Sequence, residues 1–268
     1  MSGFFIIGSF FAIEEIDSTV FIKLLGLSAL SFFIVLSVYS FNAAAGKTQD
    51  KNNLRLKNLW NFNKQVFLLI SLVFFLISIV LSFILYHYAS ALCFIIIILW
   101  VSYSHPSYGL KQKAIWGTLI HFFAQILHFI MAWIIFTDFI PESILIALFF
   151  SIAFSSGHIL HEIIDYEADK DSGFKTSPVV FGIRNTSFVL VFILLINSSL
   201  ICYLLISDII SIVAWLSFFP ASLIHLLLVL ANINNIKLKA LLVRNVYRSL
   251  YFTAGIVFFV LILLKNIW

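Results

Sequence analysis

The chain has 268 residues, of which 62% are apolar and only 10% charged, against about 25% charged in a soluble domain. That excludes a water-soluble globular protein and leaves an integral membrane one. Sixteen Lys and Arg against twelve Asp and Glu give a net charge of +4, too few cations for a nucleic-acid surface, and nothing in the sequence implies a protein partner.

Charged residues mark the ends of the apolar runs, and the uncharged stretches are 1–13, 24–46, 65–110, 114–137, 143–161, 185–207, 209–236 and 249–264. A helical span needs about 20 residues. The stretch 65–110 therefore holds two spans, with Tyr86, His87 and Tyr88 as interfacial residues at the turn. The first stretch is too short for a full crossing before Glu14, and it lacks the basic start of a signal peptide. Blocks such as 67–85 are apolar on every face, which excludes an alternating β-barrel. The predicted fold class is all-α. It is a polytopic membrane bundle of about nine transmembrane helices forming a single domain over residues 1–268. Cys93 and Cys202 lie inside apolar runs and read as small packing residues rather than a disulfide framework.

Fourteen of the sixteen basic residues fall after the second, fourth, sixth and eighth spans, leaving only Lys23 and Lys265 on the other side. The positive-inside rule then makes those four loops cytoplasmic. A multi-pass protein of the plasma (inner) membrane, with any active site facing the cytoplasm, is expected. Spans four and eight both lead into a Lys-x-Lys pair, Lys111-x-Lys113 and Lys237-x-Lys239. This weak similarity predicts two four-helix pseudo-repeats plus one helix.

The densest polar segment follows span six: His158, His161, Glu162, Asp165, Glu167, Asp169, Asp171, Gly173, Lys175 and Thr176. Spacings of three and four place Glu162, Asp165 and Asp169 on one helix face. Three such carboxylates need a cation, and hard oxygen ligands suit Mg²⁺, which is held by a few carboxylates plus substrate phosphates. Two other readings stand beside this one. The acids could be a solvated loop balanced by Lys170 and Lys175, or His158, His161 and Glu162 could form a transition-metal site. After span two, Asn42, Gly46 and Asp50 recur every four residues and share a helix face; with Lys47, Lys51 and Arg55 nearby, the segment reads either as an oxyanion site or as a solvated helix end. Span five carries a polar stripe of Thr118, His121, Gln125 and His128 that faces either a cavity or neighbouring helices. A transporter would place charges at the midplane. Here the acids gather at one membrane face, so transport is the weaker class.

These motifs resemble the UbiA superfamily of intramembrane prenyltransferases. Asn42-x-x-x-Gly46-x-x-x-Asp50 is similar to its first acidic motif, Glu162-x-x-Asp165-x-Glu167-x-Asp169 with Gly173, Thr176 and Gly182 to its second, and Tyr103-Ser104-x-Pro106 with Leu110-Lys111 to its Tyr-Ser-x-Pro stretch and following lysine. The resemblance implies a nine-helix bundle around a cavity open to lipid. It also implies Mg²⁺-dependent transfer of a prenyl group from a prenyl diphosphate to a lipophilic or aromatic acceptor in the bilayer. Carried over to this chain, Asp50, Glu162, Asp165 and Asp169 would hold the metal. Asp165, Asp169 and Lys111 would be catalytic, and Asn42, Lys111, Tyr103, Lys175, His121 and Gln125 would bind substrates. The first motif departs from the family, because Ala43 and Gly46 stand where acids are usual and only Asp50 remains. That departure keeps open another phosphorylated donor or an inactive member.

Overall fold

In bilayer hydrocarbon a backbone must satisfy its own hydrogen bonds, so long apolar runs become helices. The computed structural model describes residues 2–13, 17–46 and 63–265. Among them are eight helices long and apolar enough to cross a membrane: α2 (Ser18–Gly46), α3 (Lys64–Leu85), α4 (His87–Ser104), α5 (Trp116–Ile134), α6 (Glu142–Ile164), α9 (Ile183–Ile206), α10 (Ile212–Ala231) and α11 (Ile236–Lys265). Three short helices join them: α1 (Ser2–Ala12), α7 (Tyr166–Asp171) and α8 (Ser177–Phe181). No strand occurs among the described residues.

Local signals set several boundaries. Asn63 caps α3 by accepting the Gln65 N–H at 2.9 Å, and Ser211 caps α10 by accepting the Ala214 N–H at 3.2 Å. Between α3 and α4 only Tyr86 leaves helical geometry, at the aromatic turn expected from sequence. One boundary differs. Lys237, Lys239, Arg244 and Arg248 were expected in a loop, yet they lie on the first turns of α11. No Pro or Gly interrupts 236–254, so nothing stops the helix from starting outside the apolar zone.

The bundle forms two groups of four. One core joins Leu27, Leu30, Ile34, Ile96, Trp100, Ala124 and Met131 of α2, α4 and α5, with α3 packed outside against α2. The other joins α6, α9, α10 and α11 around Phe149, Phe150, Leu194, Phe218 and Tyr251. Helices α5 and α6 are the innermost, with 61% and 67% of their apolar windows buried, and they form the seam between the groups. The short α1, about 16 Å long at 1.5 Å per residue, sits against α5, α2 and α11, with Ile7, Gly8 and Ser9 buried. Two four-helix groups plus one helix therefore hold, and the extra helix is too short to span. Leu69, Phe83, Phe192 and Ile206 stand outward. A surface like that would aggregate in water and suits lipid tails.

Contacts also fix which loops share a face. Lys113 bridges Lys175, and Lys237 pairs with Glu167, which puts the connections after α4, α6 and α10 together. At the opposite face Lys23 Nζ donates to the Ile135 carbonyl at 2.9 Å and lies 6.0 Å from the Phe136 ring. A cation there completes the C-terminus of α5, whose last carbonyls lack helical partners. Lys23→Met should lower unfolding free energy by about 1 kcal/mol without touching the basic face. Denaturation in detergent checks this, and an unchanged midpoint would make the contact incidental.

Candidate active site

The basic face is assembled by two loops that hold each other. After α4 the chain turns through Pro106 and Gly109 into a single 3₁₀ turn, Leu110–Gln112. Lys113 then pairs with Lys175 as a parallel bridge, and the Lys175 N–H donates to the Gln112 carbonyl at 2.8 Å. The Ile115 N–H donates to Ser177 Oγ at 3.2 Å. Ile115 has φ 69°, a left-handed conformation that costs a β-branched residue on the order of 1–3 kcal/mol. The interlocked loops supply what holds it there. One result is that half-buried Lys111 and exposed Lys113 and Lys175 stand on the same face as the acidic segment.

The acidic segment does not run as one helix. Helix α6 stops at Ile164, Asp165 adopts φ −88° and ψ 5°, and α7 starts afresh at Tyr166. The expected shared face of Glu162, Asp165 and Asp169 is therefore broken at Asp165. Glu162 turns into the bundle and is 5% exposed, while Asp165 and Asp169 stay half-buried at the rim. Asp165 accepts from His161 Nε2 at 2.8 Å, and Asp169 accepts from Thr176 Oγ1 at 3.0 Å. Beyond them Glu167 pairs with Lys237, whose ammonium lies 5.2 Å from the Tyr166 ring. The hydrogen bond from Lys237 holds the Glu167 carboxyl below its ordinary range. A lowered folded pKa stabilises above the unfolded pKa and is lost as pH falls through the folded one. The pair is exposed, so its contribution is small.

No group of three His, Cys, Asp or Glu among the described residues gathers closely enough to hold a metal on its own. The transition-metal reading of His158, His161 and Glu162 fails on the same geometry. His161 turns to Asp165, and His158 is occupied by two hydroxyls: its Nε2 lies 3.2 Å from Tyr103 Oη and its Nδ1 3.3 Å from Thr118 Oγ1. Mg²⁺ needs no such cage, since it takes one or two carboxylates and completes its shell with phosphate oxygens. Asp165 and Asp169, two hard carboxylates at a rim rich in lysines, fit that mode.

Inside the rim the wall is polar and aromatic. Glu162 Oε1 lies 3.7 Å from His158 Nδ1, and Ser177 lies against the carboxylate, yet neither oxygen closes a well-formed hydrogen bond among the described residues. A buried carboxylate is costly unless its field is favourable. The first turn of α5 supplies that field: a Cβ on Gly117 would sit 3.4 Å from Glu162 Oε1 and 3.2 Å from His158 Cε1, so the positive end of that helix meets the carboxylate. Tyr103 packs edge-on to Trp100 and His121 with ring centroids at 5.6 and 5.1 Å, and His121 lies 4.0 Å from the His158 ring. Tyr103 is thus an inner-wall residue, not a tyrosine of the membrane interface. Deeper along α5, Gln125 and His128 are 2% and 1% exposed, joined by a long 3.5 Å contact. The polar stripe of Thr118, His121, Gln125 and His128 faces the bundle interior.

Asn42 is half-buried on the last turns of α2, and its Oδ1 has no partner among the described residues. Gly46 is the buried final residue of that helix. Asp50, Lys47, Lys51 and Arg55 lie outside the described residues. Sequence reasoning gave His158 only a metal-binding role and passed over Ser177. The run Thr176-Ser177-Pro178 carries a helix-start signal, with Pro in the first turn, and that signal marks Ser177 as a residue at a structured junction.

The UbiA prenyltransferase family matches the chain over residues 2–251. The chain belongs to this family. A UbiA homologue from Archaeoglobus fulgidus, solved bound to DMAPP and Mg²⁺, superposes with a TM-score of 0.72 at 18% identity, covering 95% of this chain and 94% of that one. A structure of digeranylgeranylglyceryl phosphate synthase in membranes gives a TM-score of 0.75 at 18% identity, covering 97% and 91%. A UbiA homologue from Aeropyrum pernix K1, without ligand, gives 0.74 at 13% identity, covering 98% and 96%. At these identities the superpositions establish a shared fold. No curated protein matches the chain. The UbiA-family chain is an integral, multi-pass membrane protein and a prenyltransferase by family.

Proposed function

We propose that this UbiA-family protein transfers a prenyl group from a prenyl diphosphate to a lipophilic or aromatic acceptor, with Mg²⁺ at the basic face. The observation that carries the reading is that Asp165 and Asp169, four residues apart, both stand half-buried at a lysine-bearing rim, with a buried polar and aromatic wall inside it. The relatives of this fold solved with DMAPP or GPP and Mg²⁺ support the donor class.

The chemistry follows from the donor. An allylic C–O bond ionises when the leaving diphosphate is neutralised; Asp165 and Asp169 would hold Mg²⁺, which would supply part of that charge. Lys111 and Lys175 add positive charge where the diphosphate forms, and Asn42 contributes a polar contact from α2. Asp50 would add a carboxylate from the first motif. Glu162 supports the second motif from inside, where α5 and Ser177 hold it. The prenyl chain runs into the apolar interior away from water. There the faces of Tyr103 and Trp100 shield the allylic cation and attract it electrostatically. His121 and Gln125 meet the acceptor. One observation favours a second reading. The first motif keeps a single acid, which is compatible with another phosphorylated donor or with an inactive protein.

Purified protein in nanodiscs, given radiolabelled geranyl diphosphate, Mg²⁺ and a lipid extract, should release diphosphate and move label into a lipid product. No Mg²⁺-dependent release with dimethylallyl, geranyl or longer diphosphates would leave the second reading in force.

The orientation rests on the basic residues, fourteen of sixteen of which fall in the loops that the sequence assigns to one side. With Cys93 and Cys202 replaced by Ser, a cysteine at exposed Asp171 should label only from the cytoplasm and one at exposed Ser18 only from outside. Labelling of position 171 from outside would invert the assignment.

A further inference from the structure

We infer that the cavity between α10 and α11 is a phospholipid site, taking an acyl chain of one acidic phospholipid whose headgroup meets Lys239 at the basic face. The site lies on the lipid-facing wall of the bundle, and it stands whether or not the transfer reading holds.

The cavity measures about 530 Å³, within the roughly 300–1,000 Å³ usual for small-ligand sites, and it interrupts two helices that otherwise pack as neighbours. Its cause lies in the residues. Ala221 and Ala254 are buried at its floor, and their single methyl groups leave a space that large side chains close elsewhere between these helices, as where the Phe218 and Phe258 rings meet at 5.5 Å. Pro220 lies inside α10 and has no N–H to offer the Leu216 carbonyl, and both residues line the cavity. Leu216, Ile224 and Val257 on its walls are exposed, so the space opens outward to lipid.

Position and charge name the occupant. Asn245, at one end of the cavity, lies between Arg244 and Arg248, the last basic residues before the uncharged run 249–264, so that end is level with the bilayer surface. From there to Val257 α11 rises about 18 Å, a little more than half of the roughly 30 Å hydrocarbon thickness, which is the depth one tail of one leaflet needs. Beyond the mouth stands a cation. Lys237 is turned to Glu167, and a residue two positions on points about 200° away round the helix, so exposed Lys239 faces away from the acidic rim. It precedes Val246, Leu250, Thr253 and Val257 of the cavity wall by 7, 11, 14 and 18 residues, spacings that keep to one helix face. A phosphate at Lys239 leaves the ester groups beside the Asn245 amide, which can donate to their carbonyls, and sends the tail into the cavity. Ser249 and Ser217 return their hydroxyls to the Asn245 and Val213 carbonyls at 3.2 and 2.8 Å, so the deeper wall accepts hydrocarbon without leaving these groups unpaired. A second copy of the chain is the poorer occupant. Two copies packed here in the same orientation would bring their Lys239 side chains together, and like charges repel.

Native mass spectrometry of the full chain in detergent, titrated with dioleoyl phosphatidylglycerol or dioleoyl phosphatidylcholine, reads bound lipid and oligomeric state together. One phosphatidylglycerol should bind at about fivefold lower lipid concentration than phosphatidylcholine, the effect of a single cation near the headgroup. Lys239→Gln should erase that preference and keep the binding of phosphatidylcholine. Arg184→Gln, which removes another exposed cation, should leave the preference intact. Thr253→Phe and Ala221→Leu, which fill the cavity from α11 and from α10, should each weaken both lipids at least fivefold, with melting curves showing the variants folded. Equal binding of the two lipids, a preference that survives Lys239→Gln or is lost equally in Arg184→Gln, or affinity unchanged in the filled variants would each overturn the inference. A dimer that Thr253→Phe dissolves would overturn it too, and would assign this face to a second copy. If one filled variant fails to fold, the other decides together with Lys239→Gln.

Discussion

Asp165→Asn should reduce kcat for prenyl transfer by about 10²- to 10³-fold, the usual cost of removing one preorganised electrostatic contact from a transition state. The substitution suits the local structure. Asn keeps the shape and one accepting oxygen, so the His161 Nε2 bond, 2.8 Å in the native protein, can persist and the break between α6 and α7 need not change. What is lost is the negative charge that would hold the metal. The loss should therefore appear in kcat and in the Mg²⁺ concentration for half-maximal rate, and far less in the affinity for acceptor. His161→Ala is the informative comparison. It removes the group that orients Asp165 but leaves the carboxylate, so its effect should be smaller and partly recovered at high Mg²⁺. Full activity of Asp165→Asn, or activity indifferent to chelator, would reject the metal-diphosphate role of this motif. A greater loss in His161→Ala than in Asp165→Asn would show that the histidine itself meets substrate.

The sequence made the membrane class, the spans and the grouping of loops readable because those follow from charge placement, a one-dimensional property. Residue identities also marked the acidic rim, the Tyr103 stretch and the polar stripe on α5. The helix break at Asp165 was not readable, since spacing arguments assume that a helix continues and no Pro or Gly stands between Glu162 and Asp169. The consequence is chemical, because it sends Glu162 inward and leaves Asp165 and Asp169 at the rim. Nor did any local pattern foretell that the 110–113 and 175–177 segments would lock together through Gln112, Lys175, Ile115 and Ser177. Contacts between residues some sixty positions apart depend on how α5 and α6 pack. The strained φ of Ile115 belongs to the same class: β-branched residues are poor candidates for that conformation, and the interlocked loops, with the tertiary bond to Ser177, hold it there.

The same packing of distant residues makes Gly157 a sensitive position outside the site. It faces Tyr247 of α11, and a Cβ built there would lie 1.7 Å from Tyr247 Oη, 2.4 Å from Cζ and 2.9 Å from Cε1. The hydroxyl oxygen and two ring carbons stand in the way, so rotating the O–H bond would not relieve the clash. The ring itself is not free to swing. It stacks on His225 with centroids 4.5 Å apart and planes 7° from parallel, and Tyr251 packs edge-on to it at 6.2 Å. Tyr251 Oη in turn accepts from Asn197 Nδ2 at 3.2 Å, tying α11 to α9. Gly157→Ala should gain up to about 1 kcal/mol of helix propensity and still be destabilising overall, because overpacking a fixed ring costs about 1–3 kcal/mol or more. It should also shift α6 relative to α11, and His158, the next residue, with it. Loss of the Tyr103 and Thr118 contacts to His158 then lowers turnover in protein that remains folded. A double-mutant cycle tests this: Tyr247→Leu opens the space, so the cost of Gly157→Ala in that background should shrink by more than the roughly 0.5 kcal/mol expected of independent sites. Additive costs would mean that the close approach of α6 and α11 at Gly157 does not position His158.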